Sequence, residues 1–190
     1  MKKIYFITSN KGKLVEAQNK FSEIDIDVVQ KNIGYPEIQA DSLEEVALFG
    51  VEHVLKNFNS PFILEDAGLF IDGLKGFPGV YSAYVFHTVG CDGVLKLMKD
   101  TKVEDRSAVF RSVFAYGKSD LKPHLFVGEC NGVISTIKCG NNGFGYDPIF
   151  IPQNSDKTFA EMNISEKNSY SHRGKSLEKL IDFFKININR

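Results

Sequence analysis

Ile4-Tyr5-Phe6-Ile7-Thr8-Ser9-Asn10-Lys11-Gly12-Lys13 sets an apolar run directly against a short polar turn and two lysines. The apolar run reads as a strand. Behind the lysines, Leu14, Ala17, Phe21 and Ile24 recur at helical spacing. The helix therefore starts with cations, whereas a helix N-terminus carries a partial positive charge and free N–H groups and favours Asp or Glu. The last helix repeats the anomaly. Ser171 reads as its N-cap, His172, Arg173 and Lys175 fill its first turn, and Leu177, Leu180, Ile181, Phe184 and Ile188 form its stripe. Cations at two helix starts point to two grips on a polyanion, most simply the phosphates of a nucleotide.

Outward from these ends, strands and helices first alternate. Ile24-Asp25-Ile26-Asp27-Val28-Val29 reads as a second strand. Ser42-Leu43-Glu44-Glu45 is a capping box opening a helix with its stripe at Leu43, Val46, Ala47, Gly50, Val51, Val54, Leu55 and Phe58. Pro61-Phe62-Ile63-Leu64 is a short buried strand. Gly68 to Gly79 reads as loop around a strand at Leu69-Phe70-Ile71, and Gly93 to Lys99 as a helix. Then Arg106 to Tyr116, His124 to Cys130 and Val133 to Ile137 run as a meander. The pattern is α/β, with a mixed sheet flanked by helices.

Length and composition bound the function. A chain of 190 residues is one domain, at most with two lobes, and 43% apolar residues with 16 Phe supply a sizeable core. A formal net charge of −1 offers no field for a nucleic acid polymer or a membrane surface, so any anion site is local. Cys91, Cys130 and Cys139 have no metal or redox spacing and read as reduced cytosolic thiols. The apolar run after Lys2-Lys3 is too short for a signal peptide, and no later segment is long enough to span a membrane. A cytoplasmic protein is expected.

Six segments carry candidate chemistry. Thr8 to Lys13 resembles a phosphate cradle without the spacer of a P-loop, and equally fits a solvated helix start with Lys11 and Lys13 in water. Glu65-Asp66 is placed at the carboxyl end of a strand, where α/β sheets hold ligands, and Ala67-Gly68 lets the backbone come close. Adjacent carboxylates point to opposite sides, so at most one faces a site. Glu37, unlike Glu44 and Glu45, has no capping role. With Asp66 it would suffice for a hard divalent cation on phosphates, and otherwise it is an exposed loop residue. In Gly143-Phe144-Gly145-Tyr146-Asp147-Pro148 the glycines present Phe144 either as a stacking platform for a base or as a core ring beside a tight turn, and Pro148 holds Asp147 extended. Glu166-Lys167-Asn168 and Ser171-His172-Arg173-Gly174-Lys175 close the set, with Gly174 keeping the surface open beside Arg173.

Taken in order, these segments resemble the inosine triphosphate pyrophosphatase family, the hydrolases of non-standard purine nucleoside triphosphates. Tyr35-Pro36-Glu37-Ile38-Gln39, Leu74 to Ser82 and Thr158-Phe159-Ala160-Glu161-Met162 add to the match, which runs along nearly the whole chain. The resemblance implies a single domain over residues 1–190 without a linker: an elongated mixed β-sheet flanked by helices, with two lobes and the active cleft between them. It also implies a homodimer, for which Tyr81, Tyr84 and Phe86 could supply an apolar patch. The implied reaction converts ITP, dITP or XTP to the monophosphate and pyrophosphate with Mg2+.

Roles follow from the same resemblance. Thr8, Ser9, Asn10, Lys11, Gly12 and Lys13 form the phosphate-binding loop, Glu37 and Asp66 hold the metal, and Asp66 is the general base. Phe144 stacks on the base, and Gly145, Tyr146, Asp147, Lys167, His172 and Arg173 contact the nucleotide, with Ala67 beside the acids. Two departures stand out. Ala67 replaces the Ser or Thr of many relatives, a hydroxyl contact worth about 0.5–1.5 kcal/mol. Ala83 replaces a Lys of some relatives, which shifts phosphate binding toward Lys13 and Lys167. Hypoxanthine and xanthine present an acceptor at position 6 where adenine presents a donor, and Lys167 and Arg173 carry only donors. The rivals are a pyrophosphatase for pyrimidine or methylated nucleotides, a non-catalytic nucleotide sensor, which would not need the acids, and a P-loop phosphotransferase, which would need the missing spacer.

Overall fold

The computed structural model describes residues 2–36 and 38–188; Glu37, one of the expected metal ligands, lies outside the described residues. In chain order the elements are β1 (Lys2–Ile7), α1 (Lys11–Phe21), β2 (Ile26–Lys31), α2 (Leu43–Leu55), β3 (Phe62–Ile71), β4 (Pro78–Gly79), α3 (Ser82–Thr88), α4 (Gly90–Leu97), β5 (Ser107–Gly117), β6 (His124–Ile134), β7 (Phe150–Pro152), α5 (Ile164–Tyr170) and α6 (His172–Ile188). The seven strands form one sheet in the order β2-β1-β3-β5-β6-β7, with β4 paired to β3. β1 runs parallel to β2, with Ile4 opposite Val28, and parallel to β3, with Phe6 opposite Ile63. The β3–β4 and β6–β7 pairs are antiparallel, so the sheet is mixed, as the sequence pattern anticipates. Among the described residues no helix is long and apolar enough to cross a membrane.

The chain divides into two compact units. The first comprises Met1–Asp66, Ser112–Gly128 and Arg173–Arg190, and the second Ala67–Arg111 and Glu129–His172. The first unit's core follows from period. Ile4 and Phe6 share one face of β1, Ala17 and Phe21 lie one turn apart on α1, and Leu177, Leu180, Ile181 and Phe184 form the i, i+3, i+4, i+7 stripe of α6. Phe6 packs on Phe114 at 5.5 Å and Phe21 on Phe184 at 6.0 Å between ring centroids. Each such side chain stabilises the fold by about 1.5–3 kcal/mol through burial. The second unit has its own core, in which Phe150 meets Phe110 edge to face and Phe159 at a tilt, and Phe110 stacks on Phe159, with Leu69, Ile71, Val94, Met98 and Ile149 around them.

The Ser42 capping box forms as expected: its hydroxyl accepts the Glu45 N–H, and the Glu45 carboxylate accepts the Ser42 N–H. Among the boundaries that differ from the expectation, three are informative. β3 does not stop before Glu65 but continues to Ile71, so the acidic pair sits in mid-strand rather than at a strand's carboxyl end. Leu69 and Phe70 pair with Gly79 and Pro78, and a Cβ on Gly68 would come within 2.4 Å of the Gly79 carbonyl oxygen. The glycine is therefore a close approach of two backbones, not a loop start. Gly132 repeats this in β6, where a Cβ would lie 2.3 Å from the Ile151 carbonyl oxygen, and the strand passes unbroken through what the sequence presents as a gap. Finally, Ser82–Thr88 is a helix that shows no apolar period. Ser82 anchors its start by accepting the Leu69 N–H at 2.8 Å and donating to the Gly79 carbonyl at 2.6 Å.

Each unit also buries an arginine. In the second, Arg106 is 4% exposed and donates Nε to the Ile134 carbonyl, Nη1 to the Met98 carbonyl at the end of α4 and Nη2 to the Ser135 carbonyl, at 2.7–2.8 Å. In the first, Arg173 is 2% exposed and opens α6.

Candidate active site

In the first unit the candidate residues gather at the start of α1. Asn10 stands in extended conformation as the N-cap, and its Oδ1 accepts the Lys13 N–H at 3.1 Å. The Asn10 N–H donates to Thr8 Oγ1 at 3.1 Å, and the Gln30 amide donates to the Thr8 carbonyl at 3.0 Å. The turn is thus ordered by its own short polar side chains, as N-caps are. No acid occupies the first turn of α1. Ser9 and Lys11 are exposed, while Gly12 and Lys13 are half-buried.

Lys13 reaches back to β3. Its ammonium lies 2.7 Å from Glu65 Oε2 and donates to the Glu65 carbonyl at 3.1 Å. Glu65 Oε1 accepts Arg173 Nε at 3.0 Å and the Ser112 hydroxyl at 2.8 Å, and Arg173 Nη1 donates to Glu16 Oε2 at 2.6 Å. The Ser176 hydroxyl, 3.0 Å from that of Ser112, donates to the Arg173 carbonyl. Burial alone would lower the Arg173 pKa, but the Glu65 and Glu16 carboxylates outweigh it and push the guanidinium further into its charged form. The cationic start of α6 is therefore balanced by two carboxylates of the chain itself. Arg173 is held from inside the protein, contrary to the expectation that its anion comes from outside.

Adjacent residues of a strand face opposite sides. Glu65 is buried with its oxygens turned to Lys13, Arg173 and Ser112, and Asp66 follows half-buried on the other side. Both oxygens of Glu65 are engaged by cations, and the Asp66 carboxylate is of the hard-oxygen type that a divalent cation takes. Among the described residues no group of three or more His, Cys, Asp or Glu converges as a self-sufficient metal site.

In the second unit the candidates gather around Asp147. Its Oδ2 accepts the Phe144 N–H at 2.7 Å and the Lys167 ammonium at 2.6 Å, and both side chains of that ion pair are buried. Asp147 opens a 3-10 turn, Asp147–Ile149, so it is not the extended residue expected before Pro148; the Phe144 amide and Lys167 aim its carboxylate instead. The Lys167 ammonium lies 4.9 Å from the centroid of the Phe144 ring and 5.5 Å from that of Phe159, within cation–π range. Gly143 has a φ of +74°, and a Cβ there would strike Asp147 Oδ2. Gly145, at φ +64°, faces open space. Phe144 is half-buried, as is Ala67.

Two candidates are committed to packing. Tyr146 is 4% exposed, donates its hydroxyl to the Ser82 carbonyl at 3.0 Å and packs edge-on against Phe86; burial pushes its phenol pKa up. His172 is 3% exposed and lies parallel to Phe110, 4.5 Å between centroids.

Glu16, Ser112 and Ser176 take part in the first cluster, and no sequence motif marks them. The one signal is general: a cation buried at a helix start must have an anion against it, but with 24 Asp and Glu in the chain the sequence does not say which.

Comparison with known proteins identifies relatives along the whole chain. The pattern of the Ham1 family matches residues 4–183. The dITP/XTP pyrophosphatase of Pyrococcus horikoshii is 52% identical over 186 residues, covering 98% of this chain and 98% of the relative. The dITP/XTP pyrophosphatase of Thermococcus kodakarensis is 48% identical, covering 98% and 99%. Among solved structures, a HAM1 protein from Coxiella burnetii superposes with a TM-score of 0.82 at 31% identity, covering 97% of this chain and 99% of that one.

Proposed function

Because the chain belongs to the Ham1 family, we propose that it is a hydrolase of non-standard purine nucleoside triphosphates, releasing pyrophosphate from ITP, dITP or XTP and leaving the monophosphate. The observation that carries the reading is the start of α1: a cap-ordered turn with no acid, presenting Lys13 beside the Glu65-Asp66 pair. Helix-start N–H groups and a lysine suit phosphate oxygens. Cleavage between the α- and β-phosphates builds charge on the departing pyrophosphate, which Lys13 would neutralise by position and charge. Asp66 would accept the proton of the attacking water. Mg2+ bound by Asp66, with Glu37, would supply Lewis-acid charge on the phosphates.

At the base end, Phe144 would offer a stacking face, ordered by the Asp147–Phe144 amide bond. Lys167 carries donors only, which suits the acceptor at position 6 and disfavours adenine, whereas the Arg173 guanidinium is committed to Glu65 and Glu16. Tyr146 serves this site through packing rather than contact, since its hydroxyl is committed to Ser82. We also propose a cytoplasmic homodimer. Phe77, Tyr81 and Tyr84 are exposed large apolar residues, whereas Phe86 packs against Tyr146 and leaves the expected patch. The test is incubation with a nucleotide panel, with and without Mg2+, and identification of products. IMP and pyrophosphate from ITP support the reading, and IDP with orthophosphate overturns it. Light scattering at micromolar concentration tests the dimer.

A further inference from the structure

We propose that Glu65 is a positioning residue of this hydrolysis: its carboxylate fixes the Lys13 ammonium in place and ties it to the buried Arg173, so that Lys13 meets the phosphates already oriented. The inference rests on the reading of Lys13 as a phosphate ligand.

The geometry distinguishes a locked partner from a mobile one. Glu65 has a fully buried side chain, whereas Lys13 retains 19% exposure. The Glu65 carboxylate cannot swing away. One oxygen is held by Arg173 Nε and the Ser112 hydroxyl, and Arg173 is itself pinned by Glu16. Lys13 has a flexible four-carbon stem that would otherwise sample many rotamers. Glu65 restricts that freedom at two atoms, its backbone carbonyl accepting the ammonium at 3.1 Å and its Oε2 forming an ion pair with it at 2.7 Å. An ammonium has three N–H groups, so donors remain for a phosphate oxygen.

Charge points the same way. Lys13 and Arg173 against Glu16 and Glu65 sum to zero, so the cluster attracts a polyanion weakly at a distance. Lys13 then acts as an oriented donor more than as a source of field. Its effect falls where charge builds, on the leaving pyrophosphate, which places it in kcat rather than in KM. A Glu65 that only neutralised Arg173 would contribute to stability and leave Lys13 indifferent.

A double-mutant cycle on dITP hydrolysis separates the two roles, with melting temperatures measured alongside. Glu65→Gln should lower kcat by at least about tenfold with KM held within about threefold. In a Lys13→Met background the same substitution should cost less than about twofold, because the residue it positions is gone. Glu65→Asp keeps the charge and retracts the carboxylate by one methylene. It should recover most of the melting temperature lost in Glu65→Gln but little of the kcat. Should Glu65→Gln fail to fold, the cycle is run with Glu65→Asp under the same criterion. Equal proportional losses with and without Lys13, or full recovery of kcat in Glu65→Asp, overturn the proposal alone. A wild-type protein that turns over none of dITP, ITP and XTP overturns the functional reading and this proposal together.

Discussion

Arg106 and Arg173 are both nearly inaccessible to solvent, and their surroundings have opposite electrostatic consequences. Arg106 spends its fork on three backbone carbonyls and makes no ion pair among the described residues, and burial lowers its pKa. Arg173 meets two carboxylates, and its pKa rises despite burial. The first arrangement is a clamp where α4 and β6 end: one guanidinium bonds the Ile134 and Ser135 carbonyls and the Met98 carbonyl, which also accepts the Thr101 N–H. The second is a charge lattice that holds Glu65, and through it Lys13, at the candidate site. Burial of a cation therefore says little about its task until its acceptors are named. Carbonyls mark a structural clamp, whereas paired carboxylates mark a network in which removing one member uncovers others.

That contrast predicts unequal losses. Arg173→Ala strands two buried carboxylates and should cost about 3–5 kcal/mol, read as a lowered midpoint in denaturant unfolding. This reverses the simple helix-dipole expectation, in which deleting a cation from a helix start stabilises the protein. An unchanged or raised midpoint would break the comparison at its base. Asp66→Asn, on the other face of the same strand, should lower kcat on ITP by at least about 10²-fold. Near-normal turnover would move the chemistry elsewhere.

Arg106→Ala should cost about 1.5–3 kcal/mol through its lost bonds to the Ile134, Met98 and Ser135 carbonyls, with kcat on ITP within about threefold of wild type once the protein is folded. A loss of activity as deep as that of Asp66→Asn would erase the distinction between clamp and site. The smallest effect concerns Cys91 in the second unit, whose Sγ lies 3.5 Å from the Gly145 carbonyl. Burial pushes its thiol pKa up to about 11, so the reactive thiolate is scarce at neutral pH. Alkylation of Cys91 at pH 8 should run at least about tenfold slower than that of the less buried Cys139, and should keep accelerating as pH rises toward about 11. Equal rates, followed by peptide mass spectrometry, would show that this part of the second unit opens readily.

The elements legible in the sequence were those whose signals are local. The Ser42 capping box, the α6 stripe and the strand-to-helix turn at Thr8–Lys13 each need only a few neighbouring residues, and each is found where the spacing puts it. What the sequence hid depends on residues far apart in the chain. Gly68 reads as a break because the Gly79 carbonyl that crowds it is eleven positions away. Helix α3 carries no apolar period because Ser82, bonded to β3 and β4, anchors it instead. The same holds at the candidate site. Arg173 was visible as a cation in the wrong place, but Glu16, at a separation of 157 residues, could be assigned to it only by the fold.

The pleat of β3 has a consequence for how this chain can vary. Glu65 and Asp66 occupy neighbouring positions, yet alternation sends one carboxylate inward to the lattice and the other to the opposite side. Their division of labour is therefore encoded by parity, an even or odd count from the residues that pin the strand. Ile63, opposite Phe6, and Leu69, opposite Gly79, fix that count from both ends. Exchanging a side chain between these pins edits one position. Deleting or adding a single residue exchanges inside for outside along the stretch, setting an aspartate too short for the lattice against Arg173 and turning the glutamate outward. Lineages of this protein should accordingly drift by substitution at positions such as Ala67 while holding the length between Ile63 and Leu69 constant.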